Sequence, residues 1–165
     1  MMIRIAKLLL LAGVAFFYTL VVFNNVTDYN SNAQYVHHVL LMDTTMPGNN
    51  GIWRSISSPA IDGVFYVSII AWETVTAVLL WWGIVRLLHV LRQPAVAFNT
   101  AKPLPVLALT LSLLMWLVAF IGVGGEWFLM WQSRAWNGEE TAFRDFAVVG
   151  LVFLILVQPD TDTQS

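Results

Sequence analysis

Apolar residues in this chain gather in four long runs, and polar residues collect between them. The runs extend from Leu8 to Phe23, Ile61 to Leu88, Leu104 to Met130 and Phe143 to Val157. A helix needs about 20 residues to cross the hydrocarbon of a bilayer, with a usual range of about 17–25. The second and third runs meet that need outright. The first meets it when Arg4 and Lys7 reach the interface on their aliphatic stems. The fourth is short and carries Arg144 and Asp145 at its start. It is kept as a span because Val148 to Val157 is broken only by Gly150, and Pro159 ends it sharply. The pattern predicts an all-α fold, a single integral membrane domain over residues 1–165 built as a four-helix transmembrane bundle. A basic start followed by an apolar run is also the layout of a cleaved signal peptide. The length of the run, followed by Asn24-Asn25-Val26-Thr27 and no small-x-small site, predicts a retained anchor instead.

The region between the first two runs, Asn24 to Ala60, is long for a connection and is expected to hold structure of its own. Asn30, Ser31 and Asn32 offer helix N-caps. Tyr35, Val36, Val39, Leu40 and Met42 then mark the apolar face of a short helix. Pro47-Gly48-Asn49-Asn50-Gly51 is a turn, and a second short helical turn is expected over Ile52, Trp53 and Ile56. The region reads as a partly helical extracytoplasmic cap on the bundle. Gln93 to Pro103 reads as a plain turn at the other end. Orientation follows from lysine and arginine near the helix ends. Arg4, Lys7, Arg86, Arg92 and Lys102 fall on one side, and Arg54, Arg134 and Arg144 on the other. That balance places both termini in the cytoplasm. Trp81 and Trp82 near one boundary, and Trp127, Trp131 and Trp136 near the other, suit the two interfaces.

Composition sharpens this picture. Hydrophobic residues make up 58% of the 165 and charged residues 11%, against about a quarter charged in soluble domains. Mean hydropathy is +0.71. The surroundings are a lipid bilayer. A net charge of −2 without a basic patch argues against a nucleic-acid partner. The absence of cysteine removes disulfides, thiolate metal sites, iron–sulfur clusters and cysteine nucleophiles together.

Acids inside the apolar runs are the residues that most need a reason. At 100° per residue, Asp62, Tyr66, Ile69, Glu73, Thr76 and Leu80 share one stripe of the second helix. Glu73 lies about four turns in, near mid-membrane. In the third helix, Ala108, Ser112, Met115, Ala119, Gly122 and Glu126 share another stripe, mostly of small residues, which predicts that Glu126 points into a packed interface. A carboxylate in hydrocarbon costs at least about 2.5 kcal/mol, so it is protonated, paired or wet. Arg144 is the cation expected at the depth of Glu126, and a Glu126–Arg144 pair follows. Glu73 is too deep for an obvious cation, and it is expected to be protonated or hydrogen-bonded to Tyr66, Thr76 or a neighbouring helix. Each acid has two readings: it fixes helix packing, or it serves function. At the cap, Asp28, His37, His38 and Asp43 are candidates, with Trp53 and Arg54. Adjacent histidines point about 100° apart on a helix, a poor arrangement for a shared metal, and no metal or cofactor is assigned. His89 and the loop histidines sit at opposite ends, which disfavours a haem held by two of them. No phosphate-binding glycine loop or Gly-x-Ser-x-Gly turn occurs, and no catalytic set is assigned. Asn25-Val26-Thr27 matches a glycosylation sequon, a short and weak motif.

Several motifs carry a family likeness. They include Val22-Phe23-Asn24-Asn25, Thr27-Asp28-Tyr29, His38-Val39-Leu40, Met42-Asp43-Thr44-Thr45, Pro47-Gly48 and Trp53-Arg54. Further along come Gly124-Gly125-Glu126-Trp127-Phe128, Met130-Trp131-Gln132-Ser133, Trp136-Asn137-Gly138 and Ala142-Phe143-Arg144. With these the chain resembles a bacterial family of predicted small integral membrane proteins, a domain of unknown function. The resemblance spans nearly the whole chain. It implies a four-helix protein of the inner membrane but no activity, substrate or cofactor. Three readings of function stand. The first is a non-enzymatic accessory or interaction subunit, joined to a membrane protein partner or to copies of itself. The second is a small proton- or solute-coupled carrier using Glu73 and Asp62, with Glu126 at its outer mouth. The third is a membrane redox or metal subunit using the histidines and aspartates of the cap.

Overall fold

A computed structural model describes residues 1–162. Its helices are α1 (Met2–Thr27), α2 (Tyr29–Leu41), α3 (Pro59–His89), α4 (Ala95–Thr100), α5 (Pro103–Leu114) and α6 (Glu139–Val157). α5 runs on without a break as a π-helical stretch, Met115–Trp127. Short 3-10 turns occupy Ile52–Arg54 and Met130–Gln132, and no strand occurs among the described residues. The fold is an all-helical bundle. Met2–Thr27, Pro59–His89 and Ala95–Trp127 are long and apolar enough to cross a membrane. α6 carries Glu139, Glu140, Arg144 and Asp145 in its first turns. Its 19 residues still rise about 28 Å, close to the ~30 Å of bilayer hydrocarbon. It packs along α5 and the π-helical stretch.

α1 and α3 form the spine, and along each a line of buried residues repeats every seven positions. Arg4, Leu11, Tyr18 and Asn25 of α1 are buried, as are Tyr66, Glu73, Leu80 and Leu87 of α3. A seven-residue repeat keeps one seam facing its partner when two helices coil gently around each other. α3 and α5 approach closely at Gly83, where a Cβ would stand 2.7 Å from the Cβ of Pro105. The outer surface is apolar, with Leu9, Phe16, Val67, Val78, Leu117 and Leu151 all exposed. Polar groups are held inside. This inversion suits lipid as the surrounding solvent.

Both described ends of the chain meet at one face of the bundle. Lys7 and Lys102 each donate to Asp160 Oδ2, at 2.8 and 2.6 Å, and to the carbonyl of Gln158. Arg4 reaches Asp162 at 3.2 Å and the carbonyls of Leu91 and Gln93. Burial raises the pKa of Asp160, but the hydrogen bonds and charges of Lys102 and Lys7 outweigh it and hold the carboxyl below its usual range. α1 therefore begins at Met2, ahead of its apolar run, because the tail neutralises its two cations. The expected plain turn at this face contains α4, whose Phe98 is buried beneath Arg4 and Lys102.

At the opposite face α2 folds across the bundle as a cap. It starts at Tyr29, just before the anticipated N-cap residues. Val36, Leu40 and Met42 pack on Tyr66 and Phe128. The helix ends at Met42 in the left-handed conformation, a position more often taken by glycine. Thr44 meets Ser133 at 2.8 Å, and the Met46 N–H donates to Gln132, tying this loop to the one after the π-helical stretch.

Candidate functional site

Asp62, Tyr66, Glu73 and Thr76 lie buried on one face of α3. Glu73 is 3% exposed. Its partner comes from α1: Asn25 Nδ2 donates to Glu73 Oε2 at 2.6 Å. Tyr66 in turn donates to the carbonyl oxygen of Asn25 at 3.1 Å. Tyr66 therefore holds the main chain of Asn25, while the Asn25 side-chain amide donates to Glu73 and makes its carboxyl an acceptor. Thr76 takes no part, because its hydroxyl donates back to Trp72 O one turn earlier. Beside these groups, the Tyr18 and Ser112 hydroxyls share a hydrogen bond of 2.6 Å. Trp116 is 5% exposed, with its indole N–H turned toward the Tyr18 hydroxyl.

Of these groups, Asn25, Tyr66, Glu73 and Trp116 border a crevice of about 580 Å³, a size that takes a small organic molecule. Glu73 and Asn25 lie in its wall with Phe17, Trp116 and Phe120. Asn24, Asn32 and Asn137 add polar groups toward the cap. Leu20, Asn24 and Thr141 are exposed at its edge, so the crevice opens sideways between α1 and the start of α6. Asn25, Tyr18 and Trp116 were not singled out by sequence reasoning as site residues. The signal for the first two was the heptad register of α1, which puts Tyr18 and Asn25 in line with Arg4 and Leu11. With its amide bonded to Glu73, Asn25 is not an open sequon.

Glu126 does not point into a packed interface, and it does not pair with Arg144. It is exposed. Arg144 instead lies 3.5 Å from its neighbour Asp145, with a side chain 66% exposed. The π-helix is the cause. In the ordinary α-helical register, the stripe through Ser112 and Met115 continues to Gly122 and Glu126. The π-helical bond from Phe128 N–H to Val123 O shows the wider turn. It shifts the buried stripe to Met115, Trp116, Gly124 and Gly125. Glu126 is turned outward toward Glu139.

The cap candidates separate into two pairs. His37 Nδ1 lies 2.7 Å from Asp62 Oδ2, and His38 Nδ1 lies 2.7 Å from Asp43 Oδ2. His38 also stacks on Trp136, with ring centroids 4.6 Å apart. Asp28 is elsewhere, accepting from Ser31. No group of three or more metal-ligating side chains forms among the described residues. Arg54 lies against the rings of Trp53 and Trp127 on the exposed rim. The other oxygen of Asp62, Oδ1, is buried without a partner.

A lipid-facing shell around polar side chains marks this as a membrane-embedded bundle. The family model described as "Predicted small integral membrane protein (DUF2165)" matches residues 3–159. The chain belongs to that family. DUF2165 is a domain of unknown function, so membership supports the integral membrane bundle and leaves the chemistry of the crevice to its geometry. No curated protein and no solved structure matches the chain.

Proposed function

We propose that this DUF2165 protein binds a small membrane-borne molecule in the crevice over Glu73, as a proton-coupled carrier or receptor. One observation carries the reading: Glu73 is buried at mid-bundle and opens onto a cavity, with an amide for a partner and no cation. An acid kept only for packing would be sealed, with both oxygens satisfied by the protein. Here the lateral opening supplies a route from lipid. The positive-inside bias supports the bacterial inner membrane with both termini cytoplasmic. In that orientation the crevice lies toward the extracytoplasmic half. The length and packing of α6 support a fourth crossing.

A second reading keeps the chain as an accessory subunit. It rests on the exposed Trp53–Trp127 pair and Arg54, which form an aromatic and cationic knob on the cap. Such residues are favoured at protein interfaces. One experiment separates the two. Protein is purified from its native membranes in mild detergent, as wild type and as Glu73→Gln, and both retained small molecules and retained proteins are identified by mass spectrometry. A small molecule held by wild type and lost from Glu73→Gln supports the crevice. A near-stoichiometric protein partner held equally by both, with no small molecule, gives the accessory reading its place.

A further inference from the structure

We infer that the crevice accepts an amphipathic organic cation, with its charge at Glu73 and its apolar body among Phe17, Trp116 and Phe120; the inference rests on the ligand-binding reading above. Donation from the Asn25 side-chain amide to Glu73 Oε2 makes the carboxyl an acceptor. Its other oxygen takes no hydrogen bond from any described residue, and Glu73 lines the crevice. An acceptor with a free oxygen calls for a donor or a positive charge. The protein supplies no cation there. Arg4, Lys7 and Lys102 are bound to Asp160, Asp162 and nearby carbonyls at the terminal face. Arg54 lies on the cap rim, Arg144 beside Asp145, and Arg86, Arg92 and Arg134 are exposed near the ends.

The rest of the wall has the matching chemistry. Aromatic faces attract a cation through their quadrupoles, by about 2 kcal/mol or more where water is excluded. Phe17, Trp116 and Phe120 come from two sides of the crevice. An anion would meet the carboxyl and those same ring faces, and both disfavour it. The mouth between Leu20, Asn24 and Thr141 admits a molecule from the lipid side. A cation and a proton then compete for one carboxyl. The titratable groups facing Glu73 are Tyr18 of α1, Tyr35 of α2 and Tyr66 of its own helix, with Asp145 of α6 beyond Tyr18. None of them is a cation.

Tetraphenylphosphonium and tetraphenylborate make a fitting pair of probes, since they share a shape and differ in charge. Binding is measured by equilibrium dialysis against the full chain in an uncharged maltoside detergent, with protein-free micelles subtracted. The phosphonium is expected to bind saturably, to weaken at least tenfold in Glu73→Gln, and to weaken as the pH is lowered. The borate is expected to show no saturable binding. Phe120→Leu, which keeps the acid and removes one ring, is expected to weaken the phosphonium severalfold; this holds the test open if Glu73→Gln does not fold. Equal binding of both probes, phosphonium binding indifferent to both substitutions, or no saturable phosphonium binding overturns the inference. If the phosphonium fails while a native small molecule is still retained through Glu73, only the cation is refuted. If both fail, the ligand-binding reading falls with it.

Discussion

Asn25 shows how much a single side chain decides in this fold. It sits at the last turn of α1, past the end of the apolar run, and joins Tyr66 to Glu73. Replacing it with alanine removes the amide that donates to a buried carboxyl. The expected loss is about 1–3 kcal/mol, the cost of leaving a buried polar group unsatisfied, read as earlier thermal unfolding in detergent. Asn25→Asp is expected to cost more, because it sets a second carboxyl against the first. Glu126 gives the opposite forecast. Glu126→Arg and Arg144→Glu are each expected to change stability by less than about 0.5 kcal/mol, as exposed substitutions do. Combining them should produce no rescue, and a clear rescue would restore the pair that the geometry denies. The sequence made Glu73 legible, because an acid in an apolar run is conspicuous. Its partner was hidden, because nothing local in Asn25 announces which helix it meets.

Elements were legible to different depths for physical reasons. α3 was read almost whole, because Pro59 and the polar stretch before it mark its start and charged residues mark its end. α1 was read too short. Basic residues are assigned outside an apolar run, yet here Arg4 and Lys7 are helical and buried, neutralised by a tail distant in sequence. The π-helical stretch was out of reach. Met115 to Gly125 is apolar throughout, so either helical period fits the pattern, and only packing chooses. Glu126 is the charged residue at the end of that stretch and its placement depends on that choice, which is why its prediction failed. The α3–α5 crossing offers a test at this scale. Gly83 lets α3 approach Pro105, and a Cβ there stands closer than atoms allow. Gly83→Val is expected to force the helices apart and cost about 1–3 kcal/mol, the usual range for overpacking. Gly63 has open space around it, so Gly63→Val serves as the control. Equal loss at both positions would mean that helix propensity, and not the crossing, sets the cost.

At the scale of the whole molecule, one cluster closes the bundle and fixes which ends lie together. Asp160 is buried between Lys7 and Lys102, so it ties the tail to the starts of α1 and α5. Its pKa is held below the usual aspartate value, so the cluster's stability is fully present above the unfolded value of about 3.9 and is lost as pH falls through the lower, folded value. Asp160→Asn leaves two buried lysines without a counter-charge, for which a loss of about 3–5 kcal/mol is expected. The variant should also lose the acid-induced drop in melting temperature that this group contributes to wild type. The same cluster makes the topology testable. Because the chain has no cysteine, single cysteines report cleanly. Arg4 and Asp162 touch, so both ends of the described chain share a face, whichever side of the membrane it is. Cysteines placed at Arg92 and Asp162 are therefore expected to react with an impermeant maleimide from one side of sealed vesicles. Those placed at Asn50 and Arg134, on the cap loops, are expected to react from the other. Labelling of Asp162→Cys together with the cap pair would mean that α6 does not cross. It would also break the Arg4–Asp162 contact, so the three-span outcome carries its own check: Asp160→Asn would then leave the melting temperature unchanged. The positive-inside balance further predicts that the Arg92 and Asp162 positions are the cytoplasmic ones. Inverted vesicles should expose them, and spheroplasts should expose the cap.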